Sequence, residues 1–202
     1  MAKIAQKNGA HVRLNSEVET CILDNKQITW VRLTSGETIE ADHVVMNADY
    51  GYALTELLGE KNVSKEKMKK KPFSCSTYML YLGMDKIYDD QPHHQILMAD
   101  DYKGWTQLIN DNKVLPDDMA VYVRNSSITD ATVAPKWKSG LYILAPVPNQ
   151  LAGLDWSDLA PVYREKVLDR VIERTGMSDL RDHIEIERCI TPDDWEHQQT
   201  VF

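Results

Sequence analysis

Adjacent imidazoles at His93-His94 are the most conspicuous pair in this chain able to carry a proton or a metal. Zinc needs further Cys, His or carboxylate ligands at fixed spacings, and none stands there; neighbours on a strand also point to opposite faces, so no metal is expected. Cys21, Cys75 and Cys189 are far apart and odd in number, which builds neither a disulfide framework nor a metal knuckle and suits a reducing compartment. Serines, histidines and aspartates abound, but no Gly-x-Ser-x-Gly elbow sets a serine on a sharp strand-to-helix turn, so hydrolysis is not expected. The nine glycines form neither Gly-x-Gly-x-x-Gly nor a phosphate loop, and a nucleotide site built from this stretch would be incomplete. Tyr78, Met79, Leu80 and Tyr81 line either an apolar cavity or an ordinary core. No catalytic acid or base stands out.

Charge narrows the partners. A net charge of -8 and a pI near 5.2 argue against nucleic acid, whose phosphates require clustered Lys and Arg. The one basic run, Lys65 to Lys71, reads first as solvated surface and second as a contact with an anionic membrane. With 202 residues, 43% hydrophobic and 27% charged, the chain can fold as one domain or two small ones. No apolar stretch approaches the ~20 residues that span a bilayer. The start, M-A-K-I-A-Q-K-N-G, lacks the apolar core of a signal peptide, so a soluble or peripheral protein is expected.

The elements that must position these residues are organised around Thr38 to Asp49. There Val44-Val45-Met46 stops at Asn47-Ala48-Asp49, the pattern of a buried core strand closed by turn formers. Lys3 to Lys7 reads as the last turn of a helix ended by Asn8-Gly9, so the chain is expected to begin inside an element, as its C-terminus is expected to end inside one. His11–Leu14, Val18–Leu23 and Gln27–Leu33 read as strands, with a turn at Asp24-Asn25-Lys26 and with Ile28, Trp30 and Arg32 sharing a face. Ala53–Leu58 reads as a short helix stopped by Gly59. Beyond it, Ser74–Gly83, His93–Ala99, Met119–Arg124 and Leu141–Val147 predict a largely antiparallel sheet, with Ser74–Gly83 central and a helix over Tyr102–Asn112. The clearest helix, about Ser157 to Thr175, repeats Leu159, Val162, Tyr163, Val167, Val171 and Ile172 at three- and four-residue steps, with Asp155 or Ser157 as cap and Gly176 as stop. Ile184–Cys189 reads as a last strand.

Several stretches resemble one family in order and spacing. V-R-L-N-S-E-V-E-T, V-R-L-T-S-G-E-T-I-E-A-D-H-V-V-M-N-A-D and S-C-S-T-Y-M-L-Y-L-G-M-D are similar to the middle of the phytoene desaturase family of FAD-dependent carotenoid desaturases. H-H-Q-I-L-M-A-D-D-Y, S-S-I-T-D-A-T-V-A-P, L-Y-I-L-A-P-V-P-N, G-L-D-W and T-P-D-D-W-E resemble the same family and its dehydrosqualene desaturase branch. The resemblance runs from Val12 to Phe202. Family members also carry an N-terminal dinucleotide-binding fingerprint and a C-terminal flavin-contacting segment, so this stretch resembles their centre.

The resemblance implies a mixed α/β (α+β) chain, part of a FAD/NAD(P)-binding, amine-oxidase-like fold. Residues 1–49 would be a β-meander and returning strand of the FAD domain. Residues 50–202 would be a substrate domain, an antiparallel sheet flanked by helices. Val18 would bring a backbone near the adenine, and Asn47, Ala48 and Asp49 would approach the cofactor at a strand's carboxyl end. The bland alternatives are a half-buried strand residue and a turn cap. Tyr78 and Leu80, on the central strand, would form one wall of a tunnel for a long isoprenoid hydrocarbon. The implied reaction removes hydrogen with FAD as acceptor, in a cytoplasmic enzyme peripheral to the membrane, and this stretch alone is expected to be inactive and not to hold FAD. Alternatives are a free-standing isoprenoid, lipid or partner-binding module, or a relative of retinol saturases or amine oxidases. Exposed apolar surface further predicts self-association.

Overall fold

The computed structural model describes residues 1–25, 27–58, 67–68, 70–111 and 114–199. Gly59 and the ends of the expected Asp24–Lys26 turn and Tyr102–Asn112 helix lie outside the described residues, and so do Lys65, Glu66 and Lys69 of the lysine run. The chain divides into two compact units, one spanning Met1–Lys71 and the other beginning at Pro72.

In the first unit, helix α1 (Ala2–Lys7) ends at Asn8, and Gly9 takes the left-handed conformation (φ 88°) that closes a helix at little steric cost. Strands β1 (Val18–Asp24), β2 (Gln27–Leu33) and β3 (Thr38–Glu40) form an antiparallel meander in that order. Ile28, Trp30 and Arg32 alternate with Val31 and Leu33, and it is Leu33 that is buried while Trp30 and Arg32 face outward. The expected strand at His11–Leu14 is instead loop; Arg13 grips Glu37 in a two-pronged ion pair (2.9 and 2.6 Å).

The core strand expected across Val44–Met46 does not form. Residues 41–49 are irregular and Val45 is 95% exposed. A strand apolar on both faces needs a neighbour on each edge and a layer on each side, and the three strands of this meander supply neither. Asp49 then caps a single α turn, α2 (Tyr50–Tyr52), through Oδ1, which accepts from Gly51 N (2.9 Å) and Tyr52 N (3.2 Å). The turn widens into a π-helix at Ala53–Leu57, where an ordinary α-helix is expected. Ala53 and Leu57 bury against Cys21 of β1, so this helical stretch belongs to the meander and the first unit reaches Lys71, past the boundary expected at residue 49.

The second unit holds a five-stranded sheet in the order β5-β6-β7-β4-β8, antiparallel at every pairing. Its strands are β4 (Ser76–Met84), β5 (His94–Leu97), β6 (Val121–Asn125), β7 (Ser139–Val147) and β8 (Ile184–Ile190). β4 is interior, between β7 and β8, as its sequence predicts. One face is covered by α4 (Trp156–Thr175), whose buried stripe is Trp156, Tyr163, Val167, Leu168 and Val171. Val162, expected on that stripe, faces out. Asp155 Oδ1 accepts from Ser157 N (3.0 Å) at one end of this helix, and Gly176 closes the other in the left-handed region. The same core takes in Trp105 and Ile109 of α3 (Tyr102–Asn110). A last helix, α5 (Pro192–Gln199), joins β4 through Trp195 Nε1, which donates to Thr77 O (3.1 Å).

Candidate functional site

Side chains on a strand alternate between faces, and the register of this sheet settles which residues share one. Leu80 pairs with Ile143 and with Cys189, and Leu82 with Leu141 and Glu187, on the face beneath α4. Tyr78 lies there too. Its hydroxyl donates to Ala160 O (2.9 Å), and its ring packs against Trp156 (5.6 Å between centroids) and edge-on to Tyr163 (5.1 Å). Burial, followed by the contact with Cys189, pushes its phenol above the ordinary tyrosine value. Leu80 is 0% exposed. Both residues named as a tunnel wall therefore lie in the sealed core between sheet and helix, their surfaces spent on protein contacts.

The alternate positions carry a different surface. Tyr81 pairs with Tyr142 and with Arg188; Arg124 pairs with Tyr142 and with His94. In the adjoining row Met79, Leu144 and Tyr122 lie side by side. Tyr81 and Tyr142 meet edge-to-face at 5.2 Å, Tyr142 and Tyr122 at 5.9 Å, and His94 stacks on Tyr122 at 5.9 Å. These rings cross four strands on the face away from α4. Tyr81 is 39% exposed, and Ile96 and Ile186 on the same face are largely exposed. The signal for this row was the alternation in V-Y-V-R-N and L-Y-I-L-A, which places each tyrosine opposite the aliphatic core positions.

Polar groups edge the row. His94 Nδ1 lies 2.7 Å from the Tyr122 hydroxyl. His93 precedes β5 rather than lying within it, so the two imidazoles do not diverge; their rings stand 4.1 Å apart. Arg124 Nε donates to His93 Nε2 (3.3 Å), which leaves the His93 Nδ1 proton to donate to Thr129 Oγ1 (2.6 Å). Desolvation, then His94 and Arg124, hold His93 below the ordinary histidine range. Its ring nitrogens are thus occupied, and among the described residues no three His, Cys, Asp or Glu side chains are grouped to hold a metal.

The residues expected near a cofactor all fall in the first unit. Val18 opens β1, half-buried beside the small core around Cys21. Asn47 and Ala48 are exposed in the irregular segment, and Asp49 is engaged as the helix cap. Thr20 Oγ1, two residues beyond Val18, donates to Leu57 O (3.1 Å), which ties β1 to the helical stretch Asp49 begins. An open cleft of about 860 Å³ in this unit is lined by Gln6, Gly9, Ala10, His11, Val12, Arg13 and Ile39. These residues offer backbone edges and one arginine, itself paired with Glu37, rather than a glycine-rich phosphate cradle.

Comparison with known proteins identifies the lineage. The family model of flavin containing amine oxidoreductases matches residues 1–86. A 4,4'-diapophytoene desaturase (4,4'-diapolycopene-forming) of Methylomonas sp is 45% identical over 205 residues, covering 100% of this chain and 40% of the relative. A zeta-carotene-forming phytoene desaturase of Myxococcus xanthus is 39% identical, covering 96% of this chain and 38% of the relative. A lycopene-forming phytoene desaturase of Pseudescherichia vulneris is 31% identical over 96% of this chain and 40% of its own length. A solved oxidoreductase from Methanosarcina mazei shares the fold at a TM-score of 0.52 with 14% identity, over 93% of this chain and 40% of that one. The chain spans about two fifths of the length of the relatives it matches. By these matches the chain belongs to the carotenoid desaturase family within the flavin-dependent amine-oxidase-like fold.

Proposed function

We propose that this chain supplies the substrate-facing sheet and part of the cofactor domain of a FAD-dependent carotenoid desaturase. The observation that carries the reading is the uncovered row Tyr81–Tyr142–Tyr122–His94 on a sheet whose sequence is that of the family. An isoprenoid hydrocarbon has no hydrogen-bonding handle. Its protein partner must be a long apolar or aromatic surface that fixes distance and excludes water, and a row of rings offers CH–π contact along an extended chain. The wall is therefore assigned to Tyr81, Tyr122 and Tyr142, with Tyr78 and Leu80 buttressing it from behind.

A bound FAD would supply the two-electron oxidising power that desaturation needs, taking the hydride while the second hydrogen leaves the hydrocarbon as a proton to solvent. In this chain the Val18 backbone would border its adenine, and the Asn47-Ala48-Asp49 turn would approach it. Asp49, already accepting two N–H groups, fits a shaping role rather than that of a proton acceptor. Because the hydrocarbon resides in lipid, the enzyme would work on the cytoplasmic side as a peripheral membrane protein; among the described residues no helix is long and apolar enough to cross a membrane. Self-association through the uncovered face is the competing use of the same surface.

The test is a chimera in which this chain replaces the matching 205 residues of the Methylomonas desaturase. Flavin absorbance of the purified chimera reports folding, and absorbance of coloured polyenes formed from 4,4'-diapophytoene reports activity. A flavin-loaded chimera without polyene would count against the reading.

A further inference from the structure

In K-W-K, Trp137 occupies a position that its side chain resists. Lys138 N donates to Pro135 O (3.0 Å), which closes a four-residue turn, and Trp137 stands third in it at φ +68°. Turns of this shape ordinarily place Gly or Asn there, because a Cβ at positive φ crowds the backbone, and a bulky residue there is a true outlier. The indole gains no burial in return: it is 72% exposed, with Lys136 Nζ 5.1 Å above the ring. Val133, in the same loop, is also exposed. A strained backbone that holds an apolar ring in water marks a place where a contact outside the chain would repay the strain.

We propose that the turn Pro135–Lys138 docks this unit on a lipid bilayer, Trp137 entering the boundary between headgroups and acyl chains with Lys136 beside it. Indole, an apolar body with one N–H, favours that boundary, and lysine stems lie along apolar surface while their ammonium groups stay in water. Charge selects against polyanions as partner. Lys138 is neutralised by Glu185, Asp130 lies in the same loop with its carboxylate on Thr132, and the chain carries -8 overall. Size selects against a protein partner, since one indole and one valine fall far short of the roughly 800 Å² per side that a specific interface buries. The desaturase reading gives the reason to visit lipid, and the proposal rests on it for that reason alone.

Co-sedimentation of the 202-residue chain with phosphatidylcholine vesicles tests it, needing neither flavin nor polyene. Trp137→Gly should lower the partition coefficient about tenfold, the effect of losing one interfacial anchor. Its unfolding temperature should be no lower than the parent's, because glycine adopts the turn without strain. Trp137→Phe should retain most of the binding. The proposal is overturned if the parent does not sediment with vesicles, if Trp137→Gly binds as the parent does, or if binding needs anionic lipid and vanishes with salt. An unfolding temperature that drops in Trp137→Gly would equally refute it, by showing the indole to be part of the packed fold. An inactive chimera beside Trp137-dependent docking would sink the desaturase reading and leave the membrane contact standing.

Discussion

Leu80 and Tyr81 are neighbours in sequence with opposite surroundings, and truncating each to alanine separates fold from function. Leu80 is 0% exposed in the core under α4. Leu80→Ala removes that packing and leaves a cavity that the sheet cannot collapse, costing about 3 kcal/mol. At roughly 3 °C per kcal/mol for a chain of this size, the melting temperature should fall by about 10 °C. Tyr81 is 39% exposed, so of the ~200–250 Å² a tyrosine can bury, roughly 80–100 Å² remains available to a ligand. At about 25 cal/mol per Å² that area is worth ~2 kcal/mol, up to about thirtyfold in affinity. Tyr81→Ala should therefore weaken uptake of phytoene from detergent micelles by ten- to thirtyfold at most while moving the melting temperature by less than about 3 °C. Circular dichroism melting and equilibrium uptake on the same preparations read both quantities. The reverse pattern, uptake lost in a stable Leu80→Ala and stability lost in a fully binding Tyr81→Ala, would show that the faces are assigned the wrong way round.

Two further outcomes follow from the electrostatics. Burial pushes the Asp118 carboxyl up, but N–H groups of Asp101 (2.9 Å) and Asp100, with Arg170 (2.6 Å), bring it below the usual carboxylate value. A carboxylate held low stabilises the fold fully above its unfolded value near ~3.9 and loses that contribution as pH falls through the folded value, so urea midpoints should drop below about pH 4. Asp118→Asn should flatten that acid limb, and an unchanged slope would remove Asp118 from the account. Burial also raises all three thiols, Cys21, Cys75 and Cys189, so Ellman's reagent at neutral pH should label the native chain far more slowly than the urea-unfolded one; equal rates would contradict their burial.

The parts legible in the sequence are those whose partners are written nearby. The stripe of α4 with its Asp155 cap and Gly176 stop, the meander strands β1 and β2, and the interior strand β4 all follow from local pattern and turn chemistry. Val44–Met46 was misread because an apolar run reports only that burial is available, not who provides it. The π-helical Ala53–Leu57 was missed for a related reason: helical period is visible in sequence, whereas a one-residue widening depends on how Ala53 and Leu57 seat against Cys21. His93 escaped its strand because Arg124 and Thr129, remote in sequence, hold its ring beside His94.

The site was half legible for a reason that itself bears on function. S-C-S-T-Y-M-L-Y-L-G is apolar at odd and even positions alike, so alternation could not say whether Tyr78 and Leu80 or Met79 and Tyr81 faced the core. An antiparallel sheet with one solvated face normally removes that ambiguity by placing polar residues outward. Here the outward positions of three adjacent strands carry Tyr81, Tyr142 and Tyr122, which pack on one another and leave their remaining ring surface uncovered. A sheet built from such residues is suited to a cover on both sides. Helix α4 is one cover, and the aromatic row fits the other to a long hydrocarbon lying across the strands. On the proposed desaturase reading, the ambiguity of the β4 sequence is the trace of a strand built for apolar contact on both faces.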